Sequence, residues 1–276
     1  MLRTIFSSII LLLLLNSCSE FNKALKATGP DALNVKLQTA EKFYFKEEYE
    51  KALPLLEEML ILTRGTSVSE RVTYMHAKCF YGLKDYNWTG YYMGNFVKTF
   101  PTSEYAEECA FIASYSYYKN SPEHSLDQRD TEIAMEQLQL FLIRFPNTPL
   151  RDSCNTLIDE LRGKLEKKDW VGAKQYLQLR RYKAASEAMR GFLSEWPTSK
   201  HREEAMFLLL KAQYELAVNS IESKKTERLE AAMASYRNFA DSYRESEFSN
   251  QATQMRVVLE KELGIEPETT PEDDNG

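Results

Sequence analysis

The chain repeats one apolar phrase. In 182–197 a small residue, Ala185, is followed by Met189, Phe192 and Trp196 at steps of four, three and four. That spacing lays a single stripe along a helix. Pro197 closes it, because proline offers no N–H to the next turn and its ring clashes with the turn behind. Aligned on the small residue, the phrase recurs as Ala52/Leu56/Met59/Arg64, Thr89/Met93/Phe96/Phe100–Pro101, Ala134/Leu138/Phe141/Phe145–Pro146 and Ala232/Tyr236/Phe239/Tyr243–Arg244. The five anchors lie 37, 45, 51 and 47 residues apart. Periods of this size specify stacked helix pairs, none of which buries its apolar face alone. Each copy also has an upstream helix. Twelve residues before the anchor sits a small residue with an aromatic three later, as in Ala40/Phe43, Ala77/Phe80 and Ala173/Tyr176. Ser114/Tyr117 and Ala212/Tyr214 show it less regularly, and their copies carry about eight extra residues between the two helices.

The pattern predicts helices over 31–46, 49–63, 67–83, 86–100, 103–119 and 129–145. A charged stretch at 149–168 continues into 170–180 as one long element, and the opening phrase supplies the next helix. Helices at 199–222 and 226–243 follow, and one near 246–263 closes the array with a stop at Gly264. Asp85 is placed to cap the helix beginning at Tyr86. The hydroxyls after the prolines, in Thr102-Ser103, Asn147-Thr148 and Thr198-Ser199, are placed to start the next helix in each copy. This small–aromatic–small–large–aromatic–Pro pattern resembles the tetratricopeptide repeat. The implied fold is an all-α solenoid of five helix pairs plus a C-terminal capping helix. Such a fold is a scaffold for many functions and selects none.

The first residues change the picture. Arg3 is followed by an apolar run from Ile5 to Leu15, too short to span a bilayer and the right length for an export signal. Leu15-Asn16-Ser17-Cys18 resembles a bacterial lipobox. By that resemblance residues 1–17 are removed and Cys18 carries lipid, palmitate included. Two or more acyl chains hold a protein on a membrane without a spanning helix. The alternative is an ordinary signal with an incidental cysteine. Ser19 rather than Asp after the cysteine resembles lipoproteins sorted to the outer membrane. Residues 18–30 read as a lipidated tether, 31–146 as an N-terminal half of three repeats, and 147–263 as a C-terminal half of two repeats and the cap. The last stretch, 264–276, gathers Glu266, Glu268, Glu272, Asp273 and Asp274 and reads as an acidic disordered tail.

Composition mainly excludes. A net charge of −6 argues against a nucleic-acid surface. Three histidines, His76, His124 and His201, share no helical face at metal spacing, and no CxxC, GxSxG, Walker or GxGxxG motif occurs. No catalytic residue, metal ligand or cofactor is indicated. The acid pairs Glu47/Glu48, Glu57/Glu58 and Glu107/Glu108 read as solvated helix faces. Asn87-Trp88-Thr89 matches a glycosylation pattern, but Thr89 is the small core position of its copy. Cys79, Cys109 and Cys154 read as buried free thiols, with one disulfide between neighbouring repeats as the alternative.

Binding is the better expectation. In a tetratricopeptide array the first helix of each pair lines the concave surface. Turning away from the core-facing pair on those helices selects Tyr44, then Arg71, Tyr74, Lys78 and Tyr81, then Phe111, Tyr115 and Tyr118. Six aromatics and two cations on one face suit a peptide with an aromatic ring and a carboxylate. Some of these aromatics serve equally well as core.

A lipobox, a short tether and five repeats with Phe96-to-Pro101, Phe141-to-Pro146 and Phe192-to-Pro197 together resemble the BamD family of outer-membrane lipoproteins. The segment 141–152 resembles that family's entry into its long helix. The resemblance implies a non-enzymatic subunit of the β-barrel assembly (BAM) complex, lipid-anchored on the periplasmic face of the outer membrane. It implies binding to BamA and other assembly subunits through a C-terminal region, roughly 180–262. It also implies that the N-terminal repeats receive unfolded outer-membrane proteins through a signal ending in an aromatic residue. On that reading the ring lodges among Tyr74, Tyr81 and Tyr115, with Arg71 or Lys78 near the carboxylate. The alternative is a periplasmic tetratricopeptide lipoprotein coordinating envelope growth or peptidoglycan synthesis. An enzyme would need converging acids or a nucleophile, and the spacing shows none.

Overall fold

The computed structural model describes residues 20–265 and is helical throughout that range. The export signal, Cys18 and the acidic residues from Glu266 onward lie outside the described residues. A short helical segment at 20–25 precedes the array, its Phe21 edge-on to Phe43 at 6.2 Å and its Ala24 buried.

Five helix pairs follow: α1 (Ala32–Phe45) with α2 (Tyr49–Leu62), α3 (Ser69–Gly82) with α4 (Tyr86–Thr99), α5 (Ala106–Asn120) with α6 (Arg129–Arg144), α7 (Arg151–Gln178) with α8 (Tyr182–Glu195), and α9 (Arg202–Val218) with α10 (Glu222–Ser242). A single helix, α11 (Ser249–Leu263), ends the array. The chain is an all-α tetratricopeptide-repeat solenoid of five pairs and a cap, as the periodicity requires. The anchor residues Ala52, Thr89, Ala134, Ala185 and Ala232 are each wholly buried. Thr89 packs as expected for the small position, and its hydroxyl donates to the Asp85 carbonyl four residues back at 2.6 Å. The extra residues of the fifth copy are not a loop. They lengthen α9 and α10, and only residues 219–221 separate them. In the third copy they form the connection 121–128, organised by buried Gln128, whose amide donates to the carbonyls of Glu123 and Leu126.

The connections repeat in backbone detail. Before each proline the last residue (Phe100, Phe145, Trp196) leaves the helical region with ψ of 64°, 72° and 62°. The residue before proline is sterically excluded from α geometry. The hydroxyls that follow act one step earlier than capping residues. Ser103, Thr148 and Ser199 accept from the N–H two residues on, at 3.0–3.2 Å, and Ser246 does the same before α11. They form tight hydroxyl turns that aim the chain into the next helix. Asp85 caps α4 as read, accepting from the Trp88 N–H at 3.2 Å. Gly264 ends α11 at φ 70°, the left-handed conformation that a glycine takes without steric penalty. Gly82 is needed for close approach, since a Cβ there would meet the Tyr49 ring at 2.1 Å.

The chain forms two compact units, one ending at Leu161 and the other beginning at Arg162, both within α7. The first is built on buried Phe43, Leu56, Met59, Met75, Met93, Phe96, Leu138, Phe141 and Leu161. The second is built on Trp170, Met189, Phe192, Phe207, Leu210 and Phe239. Cys79, Cys109 and Cys154 are buried free thiols, and burial pushes the first two up to about 12. They are inert, and no disulfide links them. No described helix is long and apolar enough to cross a membrane.

Candidate peptide-binding band

The first helices of the pairs in unit 1 are joined by side chains that leave one face of each. Arg71 on α3 pairs with Glu41 on α1, Nη2 to Oε1 3.1 Å. Tyr74 and Lys78 on α3 both reach Glu108 on α5: the phenol donates at 2.8 Å and the ammonium at 2.7 Å. Tyr118 on α5 donates to Glu160 in the N-terminal part of α7. Between these links lies aromatic surface. Tyr74 stacks on Tyr105 with centroids 4.3 Å apart. The Lys78 ammonium sits 5.8 Å from the Tyr74 ring and 5.6 Å from the Tyr81 ring. Phe111, Tyr115 and Tyr118 form a continuous stack at 6.0 and 5.7 Å. Lys119 lies over both Tyr86 and Tyr115 at 5.9 and 5.8 Å.

All eight sequence-selected residues fall on these three helices, and six of them, Tyr74, Lys78, Tyr81, Phe111, Tyr115 and Tyr118, touch another of the set. Tyr44 meets Tyr49 and Phe45 edge-on and is the most peripheral of them. Seven are half-buried. Arg71 is the exposed one, its side chain 53% accessible. The rings are thus half core and half surface, which is what a helix places at the edge of its buried stripe.

Tyr44, Tyr74 and Tyr118 are held protonated. Burial, aided by the nearby acidic groups, pushes Tyr44 up to about 12. The same burial and the bond to Glu108 drive Tyr74 far above the tyrosine range. The bond to Glu160, then burial, takes Tyr118 to about 12. Burial acts to raise Glu108, but the bonds from Lys78 and Tyr74 and the lysine charge outweigh it, and the carboxyl lies below its ordinary value. Glu108 is thus an anion at neutral pH.

Two of the acid pairs read as solvated are not. Glu108 is half-buried and ties two helices together, and Glu58 pairs with the buried ammonium of Lys36. A signal for Glu108 existed. It lies 37 residues after Arg71, at the same offset that relates Tyr44, Tyr81 and Tyr118 to one another. The same repeat position thus carries a cation in one copy and an anion in the next, and each pairs with an opposite charge at a different position of a neighbouring helix, Arg71 with Glu41 and Glu108 with Lys78. Glu41 stands likewise 37 residues before Lys78. Among the described residues no cluster of His, Cys, Asp or Glu is arranged to hold a metal.

The family described as "YfiO: Outer membrane lipoprotein" matches residues 34–229 and 174–266. A curated protein of Caulobacter vibrioides, the outer membrane protein assembly factor BamD, is 25% identical over 169 residues, 56% of this chain and 55% of that protein. The match therefore spans about half the length of each. Among solved structures, the TPR domain of P58(IPK) covers 89% of this chain and 62% of that one at 13% identity and a TM-score of 0.40. The TPR2AB domain of yeast Sti1 covers 84% and 99% at 13% identity and a TM-score of 0.38.

Proposed function

Since the chain belongs to the YfiO family of outer membrane lipoproteins, we propose that it is a non-enzymatic scaffold for outer-membrane protein assembly, receiving unfolded β-barrel proteins on the aromatic band and holding BamA and other assembly subunits through unit 2. Cys18 carries the lipid that keeps it on the periplasmic face of the outer membrane. The observation that carries the reading is the band itself: aromatic rings interleaved with Arg71 and Lys78 across α1, α3 and α5. Rings offer large contact area at small entropic cost, and a guanidinium offers a bidentate seat for a carboxylate.

The geometry divides the two cations. Lys78 is only 23% accessible and held by Glu108 between two rings, so it orders the surface. Arg71 stands in solvent beyond its single contact with Glu41 and receives the peptide carboxylate. In unit 2, Val257 and Val258 stand exposed on α11, apolar surface in the region assigned to BamA.

Fluorescence anisotropy of the mature chain with a peptide ending in Tyr-Phe tests the first half. The free-carboxylate peptide is expected to bind at least tenfold more tightly than its C-terminal amide. Arg71→Glu with Lys78→Glu is expected to abolish that preference; an unchanged preference overturns the charge assignment. Mild-detergent co-purification tests the second half. Recovery of BamA is expected, and recovery of cell-wall synthases without BamA instead favours the envelope-growth scaffold.

A further inference from the structure

A second concave surface of unit 1 shares no residue with the aromatic band. A groove of about 390 Å³ runs between the second helices of two successive pairs, α4 and α6, with α5 as its floor. Its floor and one wall are small: Ala113 on α5, and Gly94 on α4, where an added Cβ would have nothing within 4 Å. The other wall is Leu140 and Ile143 on α6, 48% and 75% exposed. The one hydroxyl on the floor, Ser114, is already bonded to the carbonyls of Ala110 and Gln137 at 3.0 Å each. The rim is cationic. Lys98 and Arg144 stand at the edge, no carboxylate lines the groove, and neither cation forms an ion pair among the described residues. Arg144 instead lies 5.5 Å from the Phe145 ring and reaches the Val97 carbonyl at 3.4 Å.

We propose that this groove seats an amphipathic helix of another polypeptide, one that carries acidic side chains beside its apolar stripe. Charge complementarity selects the partner. An apolar trough edged by two unpaired cations rejects a basic segment and steers an acidic one. Shape selects a helix. Each wall presents residues at helical spacing, Gly94 with Lys98 and Leu140 with Arg144, and a third helix packs ridge into groove between two others when the floor is small. The groove lies on a different side chain set from the peptide band, so the protein can hold this partner while the band is occupied.

The probes are three synthetic 18-residue peptides with one shared Leu/Ala stripe: a Glu-faced helix, a Lys-faced helix, and the Glu-faced sequence with two central prolines. Each is titrated by anisotropy into the mature chain. The Glu-faced helix is expected to bind at least tenfold more tightly than either of the others. Ile143→Glu, at a site already 75% exposed and so compatible with folding, is expected to weaken it tenfold or more. Lys98→Glu with Arg144→Glu is expected to reverse the preference in favour of the Lys-faced peptide. Arg71→Glu with Lys78→Glu is expected to change nothing, which separates this site from the band. Equal binding of the three peptides, or indifference to Ile143→Glu with the fold intact by circular dichroism, overturns the proposal. So does concentration-dependent self-association in sedimentation, or pelleting with anionic vesicles, that Ile143→Glu removes: the occupant is then a second copy or a membrane.

Discussion

His76 is the least comfortable side chain in the protein. It is 1% exposed, neither ring nitrogen has a hydrogen-bond partner, and the Tyr92 and Phe80 rings meet it edge-on at 4.5 and 5.2 Å. Burial lowers its pKa from 6.5 to about 4. Above pH 6.5 the ring is neutral folded or unfolded and costs nothing further. Below that, the unfolded chain takes up a proton the folded one refuses, so stability falls as pH drops from 6.5 toward 4. A displacement of that size corresponds to about 3 kcal/mol. His76→Leu is expected to remove this part of the pH dependence, leaving a smaller loss between pH 7.5 and 5 in urea denaturation than the parent shows. Glu108 makes the opposite case, a charged group with every partner it needs. Glu108→Gln removes the anion that occupies Lys78. If Lys78 orders the band through Glu108 as proposed, the variant is expected to bind the free-carboxylate peptide a few-fold more weakly by anisotropy, because Lys78 loses the anchor that holds it between the Tyr74 and Tyr81 rings.

At the scale of elements, the turns between paired helices carry a cost that the sequence conceals. Glu47, Lys84 and Arg180 each stand two residues before a second helix, with φ of 59°, 60° and 55°. In each, the following N–H reaches back to a carbonyl of the helix: Glu48 to Phe43, Asp85 to Phe80 and Arg181 to Tyr176, at 2.9–3.0 Å. This is the Schellman arrangement, which ordinarily uses glycine, and a side chain in that conformation costs about 1–2 kcal/mol. Arg180→Gly is expected to stabilise the chain by about 0.5–1 kcal/mol after the added freedom of the unfolded glycine is deducted. Chemical denaturation reads this directly. The difference between turns and helices explains what was legible beforehand. The five stripes could be counted because burial demands a small residue at each anchor and apolar residues along the stripe that follows, and the helices fall within a few residues of the spans their spacing predicts. A turn that tolerates Glu, Lys and Arg in a glycine's conformation leaves no such mark. The candidate residues of the band could be picked out for a similar reason. Aromatics and cations recur at one helical face, and Glu41 and Glu108 recur at the repeat offset, but which acid holds which side chain is settled only when the neighbouring helices are packed together.

At the scale of the molecule, α7 runs through both compact units, which divide between Leu161 and Arg162. Leu161 is buried in the first unit and Trp170 in the second. From Glu166 onward α7 is tied into unit 2: Glu166 accepts from the Ser199 hydroxyl, and Asp169 accepts from the Trp196 indole at 2.9 Å. Gly163 stands just past that division, with nothing within 4 Å of a Cβ placed there. An interior glycine lowers helix stability by about 1 kcal/mol relative to alanine, and proline by about 3 kcal/mol. Gly163→Ala therefore strengthens the segment without touching either core, and Gly163→Pro severs it by removing one N–H and clashing with the turn behind. In hydrogen-exchange mass spectrometry, amides of 159–166 are expected to exchange more slowly in the alanine variant and much faster in the proline variant. Amides in α2 and α9, deep in the two cores, are expected to keep their protection in both. Loss of protection in α2 or α9 with Gly163→Pro would instead show that each core depends on the unbroken helix, making the two units one cooperative structure.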